Sequence, residues 1–157
     1  MRSIYVFIAA LAIVTTACSG EGSTGGGNGD DDGQQPGSDL ADPCSLVEES
    51  TIESYFDEAV EPEPGGSGSF VTCSWSDSNA NSLTVSVAVS DSVNRPETCP
   101  DCIDLDFGDD GYATSVPLQS TAEFVVGDSW YAVTTTGLGD DVVSIAALAQ
   151  QVFEQVP

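Results

Sequence analysis

The segment TAEFVVGDSWYAVTTTGLGDDVVSIAALAQQVFEQV, residues 121–156, carries two different periodicities in one run. Thr121 to Val126 and Ser129 to Thr136 read as strands joined at Gly127-Asp128, a dipeptide suited to the backbone of a tight hairpin. Beyond Gly137 and Gly139, which end the second strand, Val142, Ile145, Ala146, Ala149, Val152, Phe153 and Val156 fall at i, i+3, i+4, i+7, i+10, i+11 and i+14, one helical stripe. Asp140-Asp141 supplies a cap and places negative charge at the positive end of the helix dipole. Such a stripe either docks on a partner or covers its own sheet. A sheet with one apolar face needs the cover, which favours packing within the chain.

Working toward the N-terminus, Tyr112 to Val116 is a third strand of the same kind. Val71, Cys73 and Trp75 alternate on one face, as do Leu83, Val85, Val87 and Val89, with Asp77 to Asn81 between them as a hairpin turn. Upstream, Glu48 to Phe56 sets Ile52, Tyr55 and Phe56 on one helical face, with acids in the first turn and Ser50 to Glu53 as a possible capping box. Glu61-Pro62-Glu63-Pro64-Gly65-Gly66 then starts a loop. The fold expected is α+β: an antiparallel sheet of about five strands covered by an N-terminal and a C-terminal helix.

Composition bounds the chemistry. The 157 residues include 26 acids, two Lys or Arg and no histidine, for a formal charge of -24. Without histidine there is no Ser-His or Cys-His catalytic pair and no imidazole zinc site. With so few cations there is no means of holding nucleic acid phosphates. Glu and Asp without lysine keep a surface hydrated in high salt, where self-repulsion is screened, so a salt-tolerant source fits; an acidic face turned toward a cationic partner fits equally. Paired carboxylates for glycoside chemistry carry no information when 21 acids lie in residues 42–157. Neither G-x-S-x-G nor a lysine-bearing phosphate loop is present. These exclusions favour a non-enzymatic module without a cofactor.

Residues 1–17 have the layout of an export signal: Arg2, then Ile4 to Val14 apolar except for the hydroxyl of Tyr5, too short to span a bilayer. Thr15-Thr16-Ala17-Cys18 resembles a bacterial lipobox, although threonine stands where leucine is usual. That resemblance implies cleavage before Cys18, a diacylglyceryl thioether on its sulfur and acylation of the new amine, anchoring the protein to the cell membrane or an outer membrane. The alternative is ordinary cleavage at the same small residues, leaving Cys18 a thiol. Five cysteines is an odd number for an exported chain, and lipidation of Cys18 leaves four that can pair. Residues 18–41 then form a lipidated cysteine and a Gly/Ser/Asp stalk, whose coil from Ser19 to Asp39 has an r.m.s. span of about 25 Å. Its Asp30-Asp31-Asp32 run is a weak calcium collector at best, because the coil must first be ordered. The single folded domain spans residues 42–157.

Two further constellations invite chemistry. Cys99-Pro100-Asp101-Cys102 has redox spacing, but Glu97, Asp101 and Asp104 outnumber Arg95 around it, and anionic neighbours raise a thiol pKa. A small loop-closing disulfide is the competing reading, and a four-cysteine metal site a third. Asp104, Asp106, Asp109 and Asp110 put four carboxylates in the range of one hard cation. The spacing is not that of an EF-hand, and a solvated acidic turn explains it as well. A cation-dependent ligand-binding domain on these aspartates is therefore the alternative to an adaptor that binds an envelope protein, with redox chemistry at Cys99 and Cys102 behind it.

Asp42-Pro43-Cys44-Ser45-Leu46-Val47 before an acidic helix, Cys73-Ser74-Trp75 on a strand, and Ile145 to Pro157 as an Ala/Leu-rich helix ending in Val-Pro together resemble the actinobacterial lipoproteins called domain of unknown function 3558. The resemblance implies a lipid-anchored envelope protein with a disulfide joining Cys44 to Cys73. It implies no activity, ligand or catalytic residue. The Cys99/Cys102 pair and the missing lysines depart from the pattern.

Overall fold

A computed structural model describes residues 40–99 and 101–157; the export signal, Cys18 and the stalk to Asp39 lie outside the described residues. The class is α+β, with one antiparallel sheet and two α-helices, but the sheet has seven strands rather than about five. They are β1 (Glu63–Ser67), β2 (Phe70–Ser76), β3 (Ser82–Val89), β4 (Ile103–Asp104), β5 (Asp109–Val116), β6 (Gln119–Val126) and β7 (Ser129–Thr136), in the order β1-β2-β3-β7-β6-β5-β4. Two meanders are thus joined where β3 pairs with β7, Val85 opposite Val133 and Val87 opposite Tyr131.

Both unforeseen strands lie at the sheet's margins, and both have a physical reason for having been hidden. β1 is exposed along its length, so no apolar alternation marks it. An edge strand needs hydrogen bonds on one side only and so tolerates Pro64. Its glycines are required by close pairing: a Cβ at Gly66, which has φ +82°, would run into the backbone of Phe70 and Val71. The segment read as a loop is therefore a strand defined by backbone fit. β4 has only two residues, and β5 begins at Asp109 rather than Tyr112 because a bulge between them, with Asp110 at φ +51°, carries the acidic residues into the strand.

The β2–β3 hairpin is held by Asp77, whose carboxylate accepts from the Asn79 and Asn81 backbone N–H groups and from Asn81 Nδ2 at 2.7–2.9 Å. Desolvation works against its ionisation, yet the bonds from Asn81 and Asn79 outweigh it and lower its pKa. Its side chain thus replaces backbone partners that the turn leaves open.

One face of the sheet is apolar: Cys73, Trp75, Leu83, Val85, Val87, Ala113, Ala122, Phe124, Tyr131 and Val133 are buried on it. α2 (Val142–Gln155) crosses β5, β6 and β7 and buries Ile145, Leu148, Ala149 and Val152. Leu148 joins the stripe expected from the sequence. Asp141 is the N-cap, accepting from Val143 and Ser144 N–H, and these bonds lower its pKa. Asp140 plays a separate part, its carbonyl accepting from Ser120 Oγ at 2.7 Å.

The other half of the apolar face is covered by the entering chain. A 3-10 turn at Pro43–Ser45 lies against β2 and β3, and α1 (Glu49–Tyr55) inserts Ile52. The N-cap of α1 is Glu48, which makes no side-chain cap, so the capping box expected at Ser50 to Glu53 does not form. Thr51 instead donates to Gln151 Oε1 and ties the two helices. Packing begins slightly earlier than residue 42, since Leu40 and Ala41 already lie against the core.

Candidate functional site

Cys44 is joined to Cys73 and Cys99 to Cys102, with Cα separations of 5.1 and 5.3 Å. The first bridge ties the 3-10 turn to β2, with Cys73 fully buried. The second lies in the connection from β3 to β4, where Cys99 Sγ is 3.5 Å from Thr114 Oγ1 on the face of the sheet opposite the helices. It is not at a helix N-terminus, where the dipole would favour a thiolate.

The four aspartates of the acidic segment do not gather at one point, although Asp104 and Asp110 line one concavity together with Arg95. Asp104 on β4 pairs with Arg95, Asp106 is exposed in the β4–β5 turn, Asp109 opens β5 and Asp110 lies within the bulge that follows it. Among the described residues no group of three or more His, Cys, Asp or Glu could hold a metal ion. The turn is shaped by its apolar members. Phe107 enters the core against Phe124 and Phe153, with ring centroids at 5.5 and 5.2 Å, and Gly108 lets the backbone pass because a Cβ there would sit 3.0 Å from Phe124 Cβ.

On the face opposite the helices, Glu123 accepts from Tyr112 Oη and Trp130 Nε1, each at 3.0 Å, and Arg95 lies over the Tyr112 ring at 5.6 Å. Around them the face is lined with hydroxyls, including the cross-strand pairs Ser74–Thr84 and Thr121–Thr134. Desolvation first, then the Glu123 charge, push Tyr112 up to about 12 against the opposing Arg95. Tyr55 is also pushed up to about 12, by desolvation and then by the charge of Asp140. Because the fold favours the neutral phenols, their contribution to stability is complete below the ordinary pKa of 10 and is lost as pH rises through about 12. Tyrosinate absorbance should show two groups ionising near 12, and melting temperature should fall between pH 10 and 12. Glu123→Gln should move one of them toward 10 and leave the other.

One concavity of about 430 Å³ lies beside the acidic segment, lined by Arg95, Asp104 and Asp110 among others, and a second, smaller one lies against α1. The latter, of about 380 Å³, is lined by Cys44, Val47, Ile52, Val60, Pro62 and Trp75, with Glu49, Glu53, Glu58 and Glu61 also on its wall. α1 supplies Glu49, Ile52 and Glu53; the chain after it supplies Glu58 to Pro62, and β2 supplies Trp75. Glu58 is oriented by Ser78 N–H, which donates to Oε1 at 2.6 Å. The site carries no sequence signature because its residues come from four separate segments and match no motif. The adjoining Pro-Glu run was the only local signal.

Comparison with protein-family models, curated proteins and solved structures finds no match to this chain.

Proposed function

We propose that the protein is an exported, lipid-anchored module of the bacterial cell envelope that binds another envelope component and catalyses no reaction. The observation that carries this is the cysteine pairing. Two bridges account for Cys44, Cys73, Cys99 and Cys102, and the fifth cysteine stands at the end of an export signal, after small residues, where thioether formation would consume it. The Gly-rich segment that follows suits a tether, and the α1 cavity supplies a place to bind. Resemblance to the actinobacterial lipoproteins belongs to the same reading, since its two short motifs carry Cys44 and Cys73.

Expression in a bacterium with labelled palmitate tests the anchor. The wild-type chain should take up label and sediment with membranes, whereas Cys18→Ala should be unlabelled and released. Persistent membrane partition of the Cys18→Ala variant would sink the anchor.

A further inference from the structure

We propose that the α1 cavity is a binding site for a small organic cation, an ammonium group carried on a short apolar stem; the proposal rests on the binding-module reading and names its ligand class. At about 380 Å³ the cavity is at the small end of the range for small-molecule sites. Its floor is apolar and pre-formed. Val47, Ile52 and Trp75 are buried, and the Cys44–Cys73 bridge fixes the 3-10 turn just before Val47 to the strand bearing Trp75. Ala59, Val60 and Pro62, from the chain after α1, add to the apolar lining.

The charged part of the wall has one sign. Glu49, Glu53, Glu58 and Glu61 are all on it, with no Lys or Arg among the lining residues. Glu49 and Glu53 are four apart on α1, where like charges repel and weaken a helix that has only seven residues. No cation of the described chain relieves them: Arg95, the one Lys or Arg in residues 40–157, is paired with Asp104 beside Tyr112 on β5. An apolar floor excludes a fully hydrated inorganic ion, and an acidic wall rejects fatty acids and other anions. A ligand with both an apolar stem and a positive head satisfies the two surfaces together.

The test titrates the intact protein with hexylammonium, methylammonium, hexan-1-ol and hexanoate by calorimetry and tryptophan fluorescence. Trp75 lines the cavity and Trp130 lies on the opposite sheet face, so the fluorescence response should vanish in Trp75→Phe and persist in Trp130→Phe. Hexylammonium should bind at least about tenfold more tightly than the other three, with affinity falling as salt rises. The double variant Glu49→Gln/Glu53→Gln should weaken it by about tenfold with little change in melting temperature, since the repulsion it removes offsets the loss of a first-turn acid. Ala59→Phe, which fills the cavity from its rim, should abolish binding. Equal affinity for hexan-1-ol would reduce the site to an apolar hole, and equal affinity for methylammonium would reduce it to surface charge. Either outcome, or full affinity in the double Gln variant, overturns the proposal. Membrane release of Cys18→Ala is independent of the cavity, so failure here leaves the anchor standing and failure there leaves the cation site standing.

Discussion

Phe124→Ala should destabilise the domain by about 3 to 5 kcal/mol, toward the upper end of that range. Phe124 is fully buried where the two layers meet. Its ring stacks on Tyr131 at 5.2 Å with an interplanar angle of 7° and meets Phe107 and Phe153 edge-on at 5.5 and 5.9 Å. These aromatics come from β6, β7, the β4–β5 turn and α2, so truncation removes the contacts of β6 with three other segments at once. The loss exceeds the transfer term because a rigid sheet and a helix cannot both collapse into the cavity, and aromatic pairs add about 0.5 to 1.5 kcal/mol beyond area. Urea unfolding followed by tryptophan fluorescence measures it. Phe124→Leu, which refills most of the volume, should recover more than half of the loss. A Phe124→Ala cost below about 1.5 kcal/mol would mean that the β4–β5 turn and α2 do not share this core.

The double variant Cys44→Ala/Cys73→Ala should cost roughly 3 to 4 kcal/mol in the loop-entropy model, since the bridge closes a sequence separation of 29. The same model assigns about 2 kcal/mol to Cys99/Cys102, whose separation is 3. Location points the same way. Cys73 is fully buried beside Val85, so its loss also opens the core, whereas the second bridge sits in a connecting loop. The first pair also fixes one side of the α1 cavity, so its removal should weaken hexylammonium binding as well as stability. Chemical unfolding of the two double variants side by side gives the comparison. If Cys99→Ser/Cys102→Ser proves the more costly, the first bridge does not constrain the unfolded chain as its length requires.

Residues whose chemistry is local were legible in the chain. The period of Val142 to Val156 required a helix, and Gly127-Asp128 between alternating runs required a hairpin, because side-chain periodicity follows directly from backbone geometry. Asp141 caps the helix as its position implied, and the turn read at Asp77 to Asn81 forms, with Asp77 as its acceptor, since each carboxylate bonds to backbone within four residues. What was not legible depended on distance in sequence. β1 has no apolar face of its own and exists because β2 offers unpaired backbone, a fact invisible in Glu63–Ser67 alone. Phe107, embedded in an acidic run, became core because the β4–β5 turn folds it onto Phe124 and Phe153, and the same folding separates the aspartates that look adjacent on paper.

The amino-acid sequence by itself determined the α+β class, the terminal helix, the central hairpins and the absence of histidine chemistry, all of which follow from residue type and short-range spacing. Only the tertiary structure decided the seven-strand order and the cavity whose lining comes from the chain before α1, α1 itself, the chain after it and β2, because convergence of remote side chains is a property of packing and not of spacing.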